Sequence, residues 1–290
     1  MAERLADKVA VIFGAGQVDC DFELWGNGRA TAVAFAREGA RVVAVDLDLA
    51  AAESTCRELE STAPTSLALQ ADVTCLADVE AVQQRVLKTF GRVDILHNNV
   101  GINEKGDPVE ATEESWDRVM NTNVKSLFLT CKSFLPVMRQ QKSGVIINIG
   151  SIAGIRGTGH SYISYSASKA AVSQFTRGIA LDNARYGIRA NTILPGLMDT
   201  PRLYGFGPEY YSSIDALRQQ RASKVPLGRM GDAWDVAHAA VFLASEEARY
   251  ITAVDLSVDG GLSAQVGSGL LEQTPPTAPP STSPEQEGLP

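Results

Sequence analysis

Short apolar runs alternate with longer stretches of helical periodicity along most of the chain. The runs lack polar alternation, which is typical of strands that are buried on both faces of a parallel sheet. Segments of ten or more residues with helical periodicity separate them, and this alternation indicates βαβ units. The predicted strands are Val9–Phe13, Arg41–Val45, Ser66–Leu69, Val93–His97, Gly144–Ile149, Arg189–Leu194 and Val254–Val258.

The segments between these strands predict helices on both faces of the sheet. They span about Arg29–Glu38, Leu49–Leu59, Ala77–Phe90, Glu113–Gln140, Tyr162–Tyr186 and Ala233–Ala244. The order of elements predicts an α/β fold, a Rossmann-type doubly wound sheet of about seven parallel strands. Right-handed crossovers place the carboxyl ends of these strands at one edge of the sheet, where ligands bind in such folds.

The end of the chain differs from the rest in composition. Residues 263–290 are rich in proline, serine, threonine and glutamate and contain few apolar side chains to bury. Such a segment cannot offset the entropy lost when a chain is ordered, so we expect a disordered tail. Residues 1–262 then form a single domain, whose size is ordinary for one α/β unit.

Composition and charge narrow the class of protein. The chain of 290 residues is 44% hydrophobic and carries a formal net charge of −8, which argues against nucleic acid or an anionic membrane as a partner. The four cysteines are scattered and the three histidines lie far apart, so neither a disulfide framework nor a metal site is predicted. No secretory segment and no run as long as a membrane span stand out. We expect a cytoplasmic protein.

A glycine turn follows the first predicted strand. Gly14 ends that strand, and Gly26 and Gly28 precede the first helix, so a pyrophosphate can approach the backbone at a helix N-terminus. Asp46 ends the second strand, 18 residues after Gly28, where an acidic residue accepts the ribose hydroxyls of a dinucleotide. A carboxylate there repels the 2′-phosphate of NADP, and Leu47 follows it instead of a basic residue. The sequence therefore predicts NAD in preference to NADP.

A second motif comes after the fifth predicted strand. Tyr165 and Lys169 are four residues apart and therefore lie on the same face of the predicted helix. An ammonium beside a phenol favours the phenolate, so we expect Lys169 to lower the pKa of Tyr165 toward the working pH. Ser151 follows the end of the strand that precedes this helix. Such a pair alone is more typical of a solvated helix face, and the rest of the pattern decides between the two interpretations.

The accumulated motifs resemble those of the short-chain dehydrogenase/reductase family, in its compact single-domain branch. The resemblance covers about Lys8–Gly261 and includes the glycine turn and the serine–tyrosine–lysine set. Its further motifs are N-N-V-G at Asn98–Gly101, N-T-N-V around Asn123, P-G at Pro195-Gly196 and V-D-G-G at Val258–Gly261. The family implies an oxidoreductase that transfers a hydride between NAD(H) and a secondary alcohol or ketone.

The resemblance also implies roles for single residues. Tyr165 is the expected acid or base for the substrate oxygen, and Lys169 lowers its pKa and binds the nicotinamide ribose. Ser151 donates a hydrogen bond to the substrate oxygen, and Asn123 holds a water that connects Lys169 to solvent. The expected cofactor contacts are Gly14, Gly26, Asn27, Gly28, Asp46, Asp72, Val73, Asn99, Gly101, Tyr165, Lys169, Pro195, Met198 and Thr200. Asp72 has an alternative interpretation as a helix N-cap.

One departure from the family lies in the glycine turn. The family has three residues between its first two glycines, whereas Gly14 and Gly26 enclose eleven. The spacing from the turn to Asp46 is kept, so the eight extra residues are expected to lie in the loop. Because the insertion contains three acidic residues, we hypothesise that it covers the adenosine side and further disfavours NADP. A neutral surface insertion is the alternative.

The segment from residue 200 to 226 corresponds to the family's mobile flap over the substrate. Its aromatic residues include Tyr204 and Phe206, which predict a fairly apolar or cyclic secondary alcohol or ketone. His160 is a further candidate for substrate contact, with a surface histidine as the alternative. Arg202 offers a partner for an acidic group, although a solvated arginine is the simpler interpretation.

Other functions use the same fold. A non-catalytic NAD-binding sensor does not need the tyrosine, lysine, serine and asparagine together, whereas this chain has all four. Epimerases of the extended branch usually have a larger C-terminal domain, and enoyl reductases usually space the tyrosine and lysine more widely. The family's habit of pairing two helices between subunits predicts a homotetramer, here through Glu113–Gln140 and Tyr162–Tyr186.

Overall fold

Seven parallel strands form the central sheet of the computed structural model, which describes residues 3–17, 24–60, 63, 65–159, 161–204 and 213–265. In chain order the strands are β1 (Val9–Phe13), β2 (Arg41–Asp46), β3 (Leu67–Gln70), β4 (Ile95–Asn98), β5 (Gly144–Ile149), β6 (Ile188–Pro195), β7 (Met198–Asp199), β8 (Gly231–Asp232) and β9 (Asp255–Val258). The sheet has the order β3-β2-β1-β4-β5-β6-β9, and β7 pairs with β8 apart from it. This order confirms the predicted doubly wound Rossmann-type fold.

Helices cover both faces of the sheet. They are α1 (Asn27–Arg37), α2 (Leu49–Leu59), α3 (Leu76–Phe90), α4 (Glu113–Met120), α5 (Ser126–Gln141), α6 (Ile163–Asn183), α7 (Pro201–Tyr204), α8 (Ile214–Ala222) and α9 (Ala233–Ala244). The short helices α7 and α8 lie within the predicted flap, where the sequence pattern indicated no helix. Their order depends on contacts with other parts of the chain, which local periodicity does not encode.

The predicted helix over Glu113–Gln140 is helical throughout, but it is not a uniform α-helix. A π-helical turn at Asn121–Lys125 separates α4 from α5. Such a turn adds one residue to the helical path and is frequent at functional sites. Both flanking segments are amphipathic, and a phase shift of one residue between them is too small to mark the extra residue in the sequence.

The alternation of side chains along β1 shows how the core is divided. Ala10 and Ile12 pack with residues of α1, α2 and α9 on one face of the sheet. Val9, Val11 and Phe13 pack with residues of α3, α5 and α6 on the other face. Burial on both faces explains why the strands lack polar alternation.

The reversal of winding direction occurs at β1, which lies between β2 and β4. Phe13, the last residue of β1, is in register with Val45 of β2 and Asn98 of β4. In open α/β sheets the carboxyl ends of the strands form a ligand-binding crevice at such a point. The predicted site residues follow these strand ends.

Several predictions concern residues outside the described ranges. These residues are most of the insertion in the glycine turn, His160, Phe206 and residues 266–290 of the tail, and the predictions about them stay predictions. Across the described residues, none of the helices has the length and apolar content that a membrane span requires. The same residues contain no cluster of three or more His, Cys, Asp or Glu side chains that could hold a metal ion.

Candidate active site

The glycine turn after β1 allows close approach of its two sides. Gly14 has φ +81°, a left-handed conformation that favours glycine. A Cβ atom on Gly28 would lie 1.9 Å from the carbonyl oxygen of Gly14, so no other residue fits there without movement. Asn99 follows β4, and its Nδ2 donates a hydrogen bond of 2.9 Å to the same carbonyl oxygen. The predicted cofactor residues Gly14, Gly28 and Asn99 therefore meet at the switch point.

The side chain of Gln17 connects the two ends of the insertion in the glycine turn. Its Nε2 donates to the carbonyl oxygen of Leu24 at 3.0 Å, and its Oε1 accepts from the backbone N–H of Gly26 at 2.9 Å. Trp25 is anchored next to these contacts, since its ring lies 5.2 Å from the ring of Trp234 on α9. The residues before and after the insertion are thus held next to each other. This explains how α1 keeps its position relative to β1 despite the extra residues.

The N-terminus of α1 has the features of a pyrophosphate site. Gly26 is its N-cap residue and provides no side-chain cap, and the first turn contains no acidic residue. Free N–H groups and the helix dipole at such an end favour a bound anion. Asn27, the first residue of the helix, has a buried Oδ1 without a hydrogen-bond partner among the described residues. These observations fit a dinucleotide at the turn.

Asp46 lies where the adenosine ribose of such a dinucleotide is expected. Its Oδ2 accepts from the backbone N–H of Gly16 at 2.8 Å, and its Oδ1 accepts from that of Asp48 at 3.3 Å. The carboxylate is half-buried beside the glycine turn. It is therefore held in place by backbone donors while it retains acceptor capacity for hydroxyl groups.

Asp72 does not cap α3, so the alternative interpretation of this residue is wrong. Its Oδ1 accepts hydrogen bonds from the backbone N–H and the hydroxyl of Thr74, at 2.8 Å and 2.7 Å. The N-cap of α3 is Cys75, three residues later. Asp72 forms a local turn, and Val73 next to it is buried against the α3 side of the sheet.

Tyr165 and Lys169 lie on α6 and meet Ser151 at the end of β5. The Ser151 hydroxyl lies near enough to the phenol of Tyr165 to lower its pKa, and it accepts from the backbone N–H of Ala153 at 3.1 Å. The Lys169 Nζ donates to the carbonyl oxygen of Ile149 at 2.7 Å and lies 5.8 Å from the ring centroid of Tyr165. The serine, tyrosine and lysine are thus brought together as the sequence predicted.

The pKa values of Tyr165 and Lys169 differ from the expectation. Burial raises the pKa of Tyr165, and the hydrogen bond from Ser151 and the positive charge of Arg202 offset only part of that effect. Burial also lowers the pKa of Lys169 to about 7, with a further contribution from Arg202. The predicted outcome, a Tyr165 pKa below its ordinary value, is therefore wrong, because loss of hydration outweighs the attraction of charges, and the contribution of Lys169 to that pKa stays a prediction.

Asn123 lies in the π-helical turn and holds the loop that follows β4. Its Oδ1 accepts from the backbone N–H of Ile102 at 2.7 Å, and its Nδ2 donates to the carbonyl oxygen of Ile102 at 2.8 Å and to Ser168 Oγ at 2.9 Å. Ser168 in turn donates to the carbonyl oxygen of Tyr165 at 2.7 Å. A Cβ atom built on Gly101 would lie 3.0 Å from Lys169 Nζ and 3.5 Å from Asn123 Oδ1. The predicted water relay stays a prediction.

The opposite side of the cleft begins at the end of β6. Pro195 ends β6, Met198 is buried in β7, and Thr200 is half-buried before α7. Tyr204 donates its hydroxyl hydrogen bond to Asp199, and burial together with this bond raises the pKa of Tyr204 to about 12. The hydroxyl of Tyr204 is therefore bound to Asp199 of the same chain. The predicted contact of Tyr204 with the substrate stays a prediction.

Sequence reasoning missed one contributor to the site, Gln17, and gave the simpler interpretation to another, Arg202. Gln17 gave no signal, since a glutamine after a glycine turn is ordinary in a loop. Arg202 was interpreted as solvated, but its guanidinium donates to the carbonyl oxygen of Gly101 and, at 2.9 Å, to Asn103 Oδ1. The contacts of Arg202 are with residues about a hundred positions earlier in the chain, and those of Gln17 are with residues on the far side of the insertion.

Comparison with known proteins agrees with the geometry. A family profile described as enoyl-(acyl carrier protein) reductase matches residues 24–263. The chain is 38% identical over 92% of its length to the whole of a 2,5-dichloro-2,5-cyclohexadiene-1,4-diol dehydrogenase of Sphingobium indicum. It is 36% identical to the levodione reductase of Leifsonia aquatica, with 90% of this chain and 96% of the relative covered.

A solved structure gives the same result. The crystal structure of a short-chain dehydrogenase/reductase from Burkholderia xenovorans matches with a TM-score of 0.85 and 42% identity, covering 91% of this chain and 99% of the other. Relatives above 30% identity that align over nearly their whole length share one fold and one arrangement of elements with this chain. The chain belongs to the short-chain dehydrogenase/reductase family.

Proposed function

We propose that this protein oxidises a secondary alcohol to a ketone, or catalyses the reverse reduction, with NAD(H) as cofactor. The observation that carries the proposal is the meeting of Ser151, Tyr165 and Lys169 beside Gly101, next to a glycine turn that fits a dinucleotide. Bound NAD⁺ supplies the hydride acceptor, so that the alcohol and NAD⁺ yield the ketone, NADH and one proton.

The residues of this chain account for the path of that proton. The phenol oxygen of Tyr165 accepts the proton of the alcohol in oxidation and returns it in reduction. The Ser151 hydroxyl donates a hydrogen bond to the oxygen where negative charge develops. The Lys169 Nζ lies 5.8 Å from the ring centroid of Tyr165, and in its protonated form it favours the phenolate. Asn123 holds the loop at Ile102 and thereby the cleft beside Lys169.

The preference for NAD over NADP rests on Asp46. Its carboxylate is fixed by the N–H groups of Gly16 and Asp48 beside the glycine turn. A 2′-phosphate at the adenosine ribose would meet this negative charge, whereas the hydroxyl groups of NAD donate hydrogen bonds to it. Separate titrations with NADH and NADPH, followed by fluorescence, test the preference. Asp46→Asn is expected to reduce the difference between the two dissociation constants.

The substrate class that we propose is a fairly apolar, cyclic secondary alcohol or ketone. The printed names of two relatives support it, since they describe a cyclohexadienediol dehydrogenase and a levodione reductase. The aromatic residues of the segment 200–226 support it as well. These observations favour a cyclic ring over a long acyl chain as the group bound next to Tyr165.

The decisive experiment is an NAD-linked screen of cyclic and open-chain secondary alcohols at alkaline pH. Tyr165→Phe is expected to lower kcat by a factor of about 10² to 10⁴, the usual contribution of a positioned acid or base. Tyr162→Phe is the matched control, since it removes a phenol three residues away. Full activity in Tyr165→Phe would exclude the mechanism.

A non-catalytic NAD-binding sensor is the competing function. It predicts binding of NADH by the wild-type protein without turnover of any alcohol or ketone in the same screen. The buried serine–tyrosine–lysine group argues against it, because burial of Lys169 costs stability that a mere binding protein does not need.

We also propose a cytoplasmic homotetramer. The helices α4, α5 and α6, which are expected to pair between subunits, expose apolar side chains at Trp116, Phe128 and Leu181, with Phe128 51% and Leu181 71% exposed. Exposed apolar residues on adjacent helices are typical of subunit interfaces. Light scattering of the purified protein measures the mass, and a monomer would exclude this assembly.

A further inference from the structure

Arg202 bridges the two sides of the active-site cleft. It lies on α7, two residues after Thr200, and its guanidinium reaches the loop that follows β4. There it donates hydrogen bonds to the carbonyl oxygen of Gly101 and, at 2.9 Å, to Asn103 Oδ1. The guanidinium therefore lies over the part of the cleft that α6 and the β4 loop form together.

The bridge lies close to the reacting groups. Gly101, which accepts one of the hydrogen bonds, is the residue whose added Cβ would approach Lys169 Nζ to 3.0 Å. The charge of Arg202 also acts on the phenol of Tyr165, where it lowers the pKa against the larger effect of burial. A substrate oxygen bound at Tyr165 is thus within a short distance of a positive charge.

This positive charge has no acidic partner among the described residues. The neighbouring arginines of the cleft region do have one: Arg218 pairs with Asp199 at 2.9 Å and Arg118 with Glu104 at 2.5 Å. The hydrogen bonds of Arg202 go to neutral oxygens, which do not balance its charge. Its side chain is nevertheless accessible to solvent, so the cleft can admit an anion to it.

We propose that Arg202 binds a carboxylate group of the substrate and so selects cyclic hydroxy or keto acids over their neutral counterparts. A guanidinium presents two parallel N–H donors that match the two oxygens of a carboxylate. The hydrogen bonds to Gly101 and Asn103 orient the guanidinium group of Arg202 without neutralising its positive charge. This inference rests on the proposed function for the reaction itself. It specifies in addition that the substrate carries a negative charge.

The test is a binding experiment that needs no turnover. Cyclohexanecarboxylate and cyclohexanecarboxamide have the same ring and differ in charge, and calorimetry measures their affinities for the protein with and without NADH. The wild-type protein is expected to bind the carboxylate at least 10-fold more tightly, as hydrogen bonds to charged groups usually allow. Arg202→Met is expected to abolish the difference, and Arg202→Lys to retain part of it. Arg85→Met, an exposed arginine on α3, is the control.

Kinetics with the isomeric hydroxycyclohexanecarboxylates and their methyl esters form the second arm. Arg202→Met is expected to lower kcat/KM for the acid about 10- to 100-fold, mainly through KM, and to lower that for the ester by a much smaller factor, through the pKa of Tyr165 alone.

The outcomes separate the two proposals. Equal affinity of the wild-type protein for both ring compounds, or equal losses for acid and ester in Arg202→Met, would overturn the role of Arg202. A weaker affinity for NADH in Arg202→Met, with no change in carboxylate preference, would assign the guanidinium to the cofactor instead. Absence of turnover with a retained carboxylate preference would contradict the proposed reaction and leave the carboxylate site standing.

Discussion

The two sides of the active-site cleft are built in different ways. On one side, Ser151, Tyr165 and Lys169 extend from β5 and α6, and packing of these elements in the core holds them. On the other side, the short elements β7, α7 and α8 bury only a few apolar side chains, such as Leu203 and Leu217, and polar contacts hold the rest, among them the group of Asp199, Tyr204 and Arg218. The first side contains the groups that move the proton, and the second contains the arginine that we assign to the substrate.

This difference indicates how one fold serves many substrates. Buried groups on long elements keep their positions when a loop changes, so the groups that transfer the proton keep their geometry. Groups on short elements can change without loss of the core, because their contacts contribute little to global stability. Four variants or conditions test this contrast, and the largest expected effect comes first.

Lys169→Met is expected to separate activity from stability on the buried side. Activity should fall by a factor of about 10² or more, because the acid–base group loses its cation. Burial lowers the pKa of Lys169 to about 7 from 10.5, so the folded state disfavours the ammonium at every pH below 10.5. Removal of the amine should therefore raise the free energy of unfolding at pH 7 by roughly 1–4 kcal/mol. Urea unfolding measures it, with exposed Lys88→Met as control. A less stable variant would mean that the bond to Ile149 outweighs burial.

Acidification is expected to destabilise the sheet through His97 of β4. This imidazole is fully buried, and burial lowers its pKa from 6.5 to about 3. The unfolded chain binds the proton first, so stability falls as the pH drops from 6.5 toward 3, by about 1.4 kcal/mol per pH unit. His97→Leu should flatten this dependence in urea unfolding at pH 7 and pH 5. The exposed His238→Gln should leave the slope unchanged, and equal slopes in wild type and His97→Leu would refute the assignment.

Arg202→Met is expected to move the pH dependence of kcat/KM for a neutral alcohol. The positive charge of Arg202 lowers the pKa of Tyr165, against the larger effect of burial. Its loss therefore raises that pKa further, and the rise of activity with pH should shift to higher pH. A neutral substrate is needed so that carboxylate binding does not contribute. A shift to lower pH would show that Arg202 acts on the phenol through packing and not through charge.

Asp199→Asn is expected to have the smallest effect, confined to the flap side. The side chain keeps its size but loses the charge that binds Arg218 at 2.9 Å. A partly exposed pair of this kind contributes about 0–1 kcal/mol, so KM should rise less than about fivefold while kcat stays nearly constant. Asp215→Asn is the matched control, since Asp215 is 86% exposed and lies 3.9 Å from the same arginine. A large loss of kcat would show that the two sides are not independent.

The fold and the buried side of the site were largely predictable from the sequence. Apolar runs and helical periodicity mark long elements, and strands such as β5 were predicted to the residue. Tyr165 and Lys169 share a helix, so their spacing alone brings them to one face. The π-helical turn around Asn123 was not predicted, because a phase shift of one residue is small against the irregularity of an amphipathic pattern.

The flap side was poorly predictable for a physical reason. Helices α7 and α8 are short, and isolated short helices are marginal in water, so their order depends on tertiary contacts. The partners of Arg202 lie about a hundred positions earlier in the chain, at Gly101 and Asn103. Nothing in the local pattern distinguishes this arginine from a solvated one.

The amino-acid sequence by itself determined the doubly wound sheet, the glycine turn and the helix that pairs Tyr165 with Lys169, because periodicity and spacing along the chain act locally. Only the tertiary structure decided the charge states and the cleft. Burial, which depends on the whole fold, raises the pKa of Tyr165 and lowers that of Lys169. The fold brings α7 beside the loop that follows β4, so that Arg202 contacts Gly101, and this meeting of distant segments places a positive charge near the phenol of Tyr165.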